Sequence, residues 1–485
     1  MGRRLDAGLR FLLLVAARVV LPGERLVVEH ARSHGYFACL EGRTLDAAGV
    51  ARIRGRMRAW VERNEPFRSR EMSGREAAET LAADGQEDKA PIVRRLPTVT
   101  LYYLGKTPCY LHGGVPATTG ELRGFSVVFE RPGLLVNMPG RRVTNSRKLV
   151  RVYEQSERWA RILECGCAAD INRLTRQGRL PDFIAVNEAF HEKNIAMLAD
   201  RITQGGKRVV LIAGPSSSGK TTFAKRLAVQ LMVNGQKPLY LSTDDYFIDR
   251  DQVPVGPDGR RDFEDISVTN VALLVEQLNL LLGGEAVRLP YYDFLIGKSQ
   301  WRQELSVAQG PILVEGLHAL NPAVTGAFPA ASRFLIYINA LSMLNLDDTT
   351  PLHTADGRLM RRIVRDARNR GHSVEQTLLR WPSVMAGERK FITPYRDRAD
   401  ALFNSSLFYE PAVLRDSLLP LLDGIPESSP VAEEAKWLAY VLRCFESASS
   451  DAVPSGSLLR EFIGSREEIS AGLSAMDREE GREDK

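Results

Sequence analysis

Cysteine is scarce in this chain: five among 485 residues, at Cys39, Cys109, Cys165, Cys167 and Cys444. An odd, scattered set excludes a disulfide framework and suits a reducing, cytoplasmic setting. Cys165-Gly166-Cys167 is too tight for a zinc half-site and has no second pair, so a structural role is expected. Long hydrophobic runs are missing as well. The richest stretch, Phe11-Leu12-Leu13-Leu14-Val15-Ala16-Ala17, is bracketed by Arg10 and Arg18 and is far too short to span a membrane. No small-x-small cleavage site follows it, so a buried amphipathic helix is expected rather than a targeting signal. Neither sign of charge dominates: 65 basic residues face 60 acidic ones, a net of +5. That balance argues against nucleic acid as a partner. The chain shows no internal repeat and no low-complexity tract.

What is present is an ordinary soluble composition, 44% hydrophobic, on a chain too long for one core. Residues 1–147 mix helical and strand patterns and read as an α+β module. A helix is expected near 7–20, a hairpin from 25–29 and 36–40, a helix over 46–63, and a helix plus loop over 70–90. The alternating runs at 99–103 and 125–129 predict one small antiparallel sheet over 98–140. Residues 148–206 read as a helical connector in which His191 is solvated or capping. From 207 to 425 strands alternate with helices, the pattern of a parallel sheet wrapped by helices. Strands are expected at 208–213, 238–242, 311–315 and 334–338. A helical tail over 426–485, with a helix at 430–445 and a frayed charged end from Asp477 to Lys485, closes the chain. His30 and His34 are four apart but fall at a strand end and turn, where a plain polar turn is expected over a metal site.

The stretch that organises the chain is Gly214-Pro215-Ser216-Ser217-Ser218-Gly219-Lys220-Thr221, followed by Thr222. It fits the phosphate-loop pattern at each fixed position, with a β-branched run before it and helical spacing after it. Glycines let backbone N–H groups turn inward around phosphate oxygens, and the helix N-terminus adds positive potential. Lys220 would then neutralise phosphate, and the Thr221 hydroxyl would hold Mg²⁺. Asp244 and Asp245 follow the next strand, where ligands of open parallel sheets bind. They suggest a base for an acceptor hydroxyl, with metal binding or helix capping as alternatives. Glu315 ends a third strand, the place for a second Mg²⁺ contact. Tyr292-Asp293-Phe294 offers rings to stack a flat acceptor and an acid to bind its hydroxyls, against the alternative of core packing. Arg358, Arg361, Arg362 and Arg365 share one helical face, with Arg368 and Arg370 following; phosphates docking against that face would explain it, a solvated basic face being the alternative.

Taken in order, Gly214–Thr222, the Asp244 strand end, Tyr292-Asp293-Phe294, Glu315-Gly316 and Arg361-Arg362-Ile363-Val364-Arg365-Asp366 resemble the phosphoribulokinase/uridine kinase family over about residues 207–425. The resemblance implies phosphoryl transfer from ATP-Mg²⁺ to a hydroxyl, with a nucleoside 5′-hydroxyl as the family's best-known acceptor. It makes Asp244 the base, Glu315 the metal-side acid, Tyr292 and Phe294 acceptor-ring contacts, and Arg362 and Arg365 phosphate or acceptor contacts. Two departures bear on the acceptor. Uridine kinases carry a histidine shortly after the Tyr-Asp-Phe triplet, where this chain reads Leu295-Ile296-Gly297-Lys298, and an arginine where it has His372. Another nucleoside, a sugar or a polyol is therefore an open alternative, as is an RNA-linked P-loop NTPase; no Asn-Lys-x-Asp guanine reader follows the loop. The N-terminal part resembles the second domain of threonyl-tRNA synthetase through Leu26-Val27-Val28-Glu29-His30, Gly85-Gln86-Glu87-Asp88-Lys89 and Arg131-Pro132-Gly133-Leu134-Leu135, and the fused subgroup's likeness extends to Leu459–Gly464. The histidine pair that the synthetase needs for editing has no counterpart in Gly8–Leu14, so editing is not expected. The partners implied are ATP, Mg²⁺ and a small-molecule acceptor, with no membrane; a homo-oligomer is compatible with all of this.

Overall fold

The computed structural model describes residues 2–32, 35–138, 140, 147–255, 261–294, 296–369 and 371–464. His34, Leu295, Arg370 and the stretch from Asp477 to Lys485 lie outside the described residues. Two compact units share the chain in an interleaved way: residues 1–180, 342–357 and 408–448 make the first, and 181–341, 358–407 and 449–485 the second. Two later segments of the chain thus belong with the first unit.

In the first unit, helix Gly2–Val20 carries the apolar stretch of the sequence, and Leu9, Phe11, Leu12 and Leu13 on it are buried. It packs with Val50, Ile53, Met57 and Trp60 of helix Ala47–Arg63 in one core. Strands β1 (Leu26–Arg32), β2 (Gly35–Leu40), β6 (Ser126–Glu130) and β7 (Gly133–Asn137) form an antiparallel sheet in the order β1-β2-β7-β6. Strands β3 (Arg68–Ser73), β4 (Thr98–Leu104) and β5 (Thr107–Tyr110) form a second sheet. The single sheet expected over 98–140 is therefore two, since β4 pairs with β3, a strand hidden in a charged stretch that reads as helix. His30 also departs from expectation. It is a buried member of β1, stacked on Tyr153 at 4.0 Å with its Nδ1 2.6 Å from Glu157, and not part of a polar turn.

The hairpin β14 (Asn345–Asp347) and β15 (Thr350–Pro351) belongs to this unit too. Val28 N–H donates to Asp348 O at 2.8 Å, and Lys89 Nζ lies 3.2 Å from Asp347 and 3.3 Å from Asp88. All of these carboxylates and the ammonium are buried or nearly so, which makes the cluster sensitive to loss of one member.

The second unit is built on five parallel strands, β8 (Val209–Ala213), β9 (Leu239–Ser242), β12 (Ile312–Glu315), β13 (Arg333–Asn339) and β16 (Ala401–Asn404), in the order β16-β13-β8-β12-β9. A two-stranded antiparallel hairpin, β10 (Val287–Asp293) and β11 (Lys298–Ser306), stands apart from it. Alternation along β8 sends Val209, Leu211 and Ala213 to one face and Val210 and Ile212 to the other. The first set meets Leu274, Leu278 and Leu281 of helix Val271–Gly283. The second meets Phe223, Leu227 and Leu231 of helix Lys220–Val233 and Ile195, Leu198 and Ile202 of helix Leu180–Gln204. Both faces are covered, as an all-parallel sheet requires. Among the described residues no helix is long and apolar enough to cross a membrane.

His191 is not solvated. It is buried, its Nε2 lies 3.0 Å from Ser406 O, and its ring meets Phe403 edge-on. Burial, with Arg226 and Arg361 nearby, holds its pKa down at about 3 instead of 6.5. The folded chain keeps this imidazole neutral while the unfolded chain protonates it, so its contribution to stability is present above pH 6.5 and is lost as pH falls from there towards 3. Thermal melts of His191→Gln should show a shallower loss of stability over that window than the parent chain. Lys89→Ala, which strands Asp347, should cost about 3–5 kcal/mol in chemical denaturation of the first unit.

Candidate active site

The loop between β8 and helix Lys220–Val233 is bent tightly. Gly219 caps the helix at φ +82°, in the left-handed region that favours glycine. Gly214 has no room for a side chain: a Cβ there would lie 2.1 Å from Ile338 O. Ser217 and Ser218 are buried in the loop, and their hydroxyls find no hydrogen-bond partner among the described residues. Lys220 Nζ donates back to Pro215 O at 3.3 Å. A phosphate chain would meet unmatched hydroxyls, a helix N-terminus and an ammonium, which is the chemistry an anion needs.

The acid end of β12 closes the floor of this loop. Glu315 pairs in register with Ile212 of β8 on one side and Ser242 of β9 on the other. Its Oε1 accepts from the hydroxyls of Thr221 (3.1 Å), Tyr240 (3.0 Å) and Ser242 (3.1 Å). Burial first, then the neighbouring charge of Asp244, pushes its carboxyl up to about 7, while Lys220 pulls the other way. Asp244 and Asp245 lie in the single 3-10 turn Thr243–Tyr246 that follows β9, and it is Ser242 that caps the turn. Asp244 stands close enough to Glu315 to be felt electrostatically. Asp245 pairs with Arg302 of β11, 3.2 Å off, and burial raises its pKa.

Asp293 ends β10 and accepts the Ile296 N–H at 3.3 Å. Tyr292 is buried and Phe294 half exposed, with ring centroids 5.0 Å apart and edge-to-face. Phe247, which the sequence reading did not single out, completes the cluster at 5.5 Å from Tyr292 and 6.0 Å from Phe294. Glu264 was also missed. Burial raises its carboxyl, and Arg362, Lys220 and Asp244 all act on it, so it shares the same space. No local pattern marks it; only the fold brings the 261–265 segment here.

The helix Thr354–Asn369 divides its arginines between two tasks. Arg358 and Arg361 are fully buried and brace the loop. Arg358 reaches Ser216 O (3.3 Å) and Glu388 (2.5 Å). Arg361 holds Ser405 O at 2.8 Å, and the Ser405 hydroxyl in turn donates to Ser218 O at 2.6 Å. Arg362 donates to the Ser216 hydroxyl at 2.8 Å and lies 3.2 Å from Asp366. Arg365 pairs with Asp366 at 2.9 Å, and Arg368 donates to Ile463 O. The expected row of phosphate-facing guanidiniums therefore reduces to Arg362 at the loop with Arg365 beside it, because burial and backbone partners consume the rest. Thr222 is engaged as well: its N–H and hydroxyl donate to Glu461 at 3.4 and 3.0 Å.

A glycine loop on the central strand of a five-stranded parallel sheet, an acid on the next strand and an arginine at the loop define a P-loop phosphotransferase. Residues 209–407 match the model of the family described as "Phosphoribulokinase / Uridine kinase family", and these residues form a domain of that kind. A uridine kinase of Halalkalibacterium halodurans is 28% identical over 200 residues, 41% of this chain and 86% of its own. One of Lactobacillus johnsonii is 29% identical over 198 residues, 40% of this chain and 84% of its own. A solved structure titled a possible uridine kinase from Bacillus stearothermophilus overlays 44% of this chain and 98% of its own at 20% identity, with a TM-score of 0.31, too loose an overlay to bear on the assignment. The likeness to curated relatives thus spans two fifths of the chain and leaves the acceptor unassigned.

Arg358→Ala leaves the Glu388 carboxylate without its cation and should cost about 3–5 kcal/mol of stability in the second unit. The double variant with Glu388→Gln should recover part of that loss in the same denaturation measurement.

Proposed function

We propose that the chain is an ATP-dependent kinase that transfers the γ-phosphoryl group to a hydroxyl of a small molecule, most simply the 5′-hydroxyl of a nucleoside. The observation that carries this reading is the bond from Thr221 of the phosphate-loop helix to Glu315 at the end of β12, with Asp244, just past β9, in electrostatic reach of it. Asp244 accepts the proton of the attacking hydroxyl. Lys220, the loop amides of Gly214, Ser216, Ser217, Ser218 and Gly219, and the Thr222 N–H hold the phosphates of ATP. Arg362, with Arg365 beside it, stabilises charge on the moving phosphoryl group. The acceptor lies against Tyr292, Phe294 and Phe247, with Asp293, Asp245 and Glu264 as the acids nearest its hydroxyls. Thr221 and Glu315 offer hard oxygen donors side by side, a set that suits Mg²⁺. The ion would neutralise charge on the β- and γ-oxygens.

A sugar or polyol acceptor is the second reading. It is favoured by the stretch Leu295-Ile296-Gly297-Lys298 just past the aromatic cluster, which holds no histidine to read a pyrimidine. We also infer that residues 1–147 adopt a fold like the second domain of threonyl-tRNA synthetase, followed by a connector over 148–206, the kinase over 207–425 and a tail over 426–485. The α+β build of the first unit and the motifs quoted above support this.

A panel of nucleosides, sugars and inositols, scored by acceptor-dependent ADP release, tests the reading. One acceptor class should raise ADP release well above the acceptor-free rate, and Asp244→Asn should lower kcat by about 10²–10⁴-fold while ADP binding persists. Turnover unchanged in Asp244→Asn would remove that residue from the chemistry.

A further inference from the structure

The phosphate loop carries a contact that phosphoryl transfer does not call for. Thr222 is the third residue of helix Lys220–Val233, so its N–H is one of the first-turn amides that have no partner within the helix. That amide and the Thr222 hydroxyl both donate to the carboxylate of Glu461. Glu461 comes from the short helix Arg460–Ile463, some 240 residues further along the chain. It is close enough to Glu315 for the two carboxylates to repel each other. It therefore stands on the rim of the anion site and satisfies a donor that a nucleotide phosphate would need.

The segment around it is built to hold that position. The Ser457 hydroxyl donates to Glu188 at 2.5 Å and also caps Leu459 N–H at 3.1 Å. Arg460 ties its own loop by donating to Ser450 O, Val453 O and Gly464 O. Leu458 is fully buried and sits 3.6 Å from where a Gly219 Cβ would be. Phe462 lies under the Arg361 guanidinium at 5.2 Å, and Arg368 grips Ile463 O. Within residues 457–464 Glu461 is the one acid, and it is this side chain that meets the helix amide.

We propose that Glu461 is a phosphate surrogate carried by the chain itself: it occupies the first-turn amide of the phosphate-loop helix and must withdraw when a nucleotide phosphate arrives. The contact opposes nucleotide binding and makes it conditional on loosening residues 457–464. Because Phe462 and Ile463 touch Arg361 and Arg368, that loosening reaches the arginine helix directly. The inference rests on the reading of the loop as a nucleotide site.

The test is calorimetric binding of metal-free ADP to the full chain and to Glu461→Gln, which keeps the shape and removes the charge. Charge-assisted hydrogen bonds of this kind lead us to expect about tenfold tighter ADP binding by the variant. Equal or weaker binding overturns the proposal. Hydrogen exchange on the unaltered chain gives a second reading that needs no variant. Amides of 457–464 should exchange faster with ADP bound; unchanged or slower exchange also overturns it. Failure of both proteins to bind ADP, with 457–464 unchanged, would instead remove the nucleotide site and the inference with it.

Discussion

The buried carboxyl of Glu315 is the constraint on which the second unit depends. A carboxyl taken out of water is expensive to hold unless donors surround it. Here Thr221, Tyr240 and Ser242 supply three hydroxyls to one oxygen. Those donors come from the phosphate-loop helix and from β9, so the interaction fixes the loop and the acid-bearing turn against the same strand end. Register does the rest: with Glu315 opposite both Ile212 and Ser242, the segments that follow β8 and β9 leave the sheet at one level. Lys220, Asp244 and Glu264 then fall within electrostatic reach of each other without any single local motif placing them.

The arginine helix shows how the same residue type serves two ends. A run of guanidiniums on one face repels itself when solvated. In this fold Arg358 and Arg361 escape that cost by binding Glu388, Ser216 O and Ser405 O, and they stiffen the loop from behind. Arg362 is left with one hand on the Ser216 hydroxyl and the other on Asp366. Burial lowers its pKa relative to a free guanidinium, and Asp366 opposes that trend. A loop braced in advance needs little reorganisation when charge develops near it, which is the condition for electrostatic stabilisation of a transition state.

Much of this was legible in the chain itself because its signals are local. The fixed glycine spacing and the apolar runs at 208–213, 238–242, 311–315 and 334–338 became β8, β9, β12 and β13 within a residue or so. What the sequence hid is what long-range packing decides. β16 is only Ala401–Asn404, too short for a period to register, and β3 reads Arg-Ser-Arg-Glu-Met-Ser, a charged edge that pairs because β4 is there to receive it. His30 and His191 look polar on the page and are core residues in the fold. Glu264 carries no motif, and the Leu459–Gly464 stretch gives no local sign that Glu461 meets the loop; each arrives there only through tertiary structure.

The central claim is that this glycine-cradled site hands phosphate to an alcohol and not to water. The direct measurement is phosphorus NMR of the products formed from ATP-Mg²⁺ and an active acceptor in oxygen-labelled water. The account predicts a phosphomonoester of the acceptor that carries no solvent oxygen. Release of the γ-phosphoryl group chiefly as inorganic phosphate bearing the label, at the same rate with or without acceptor, would contradict it.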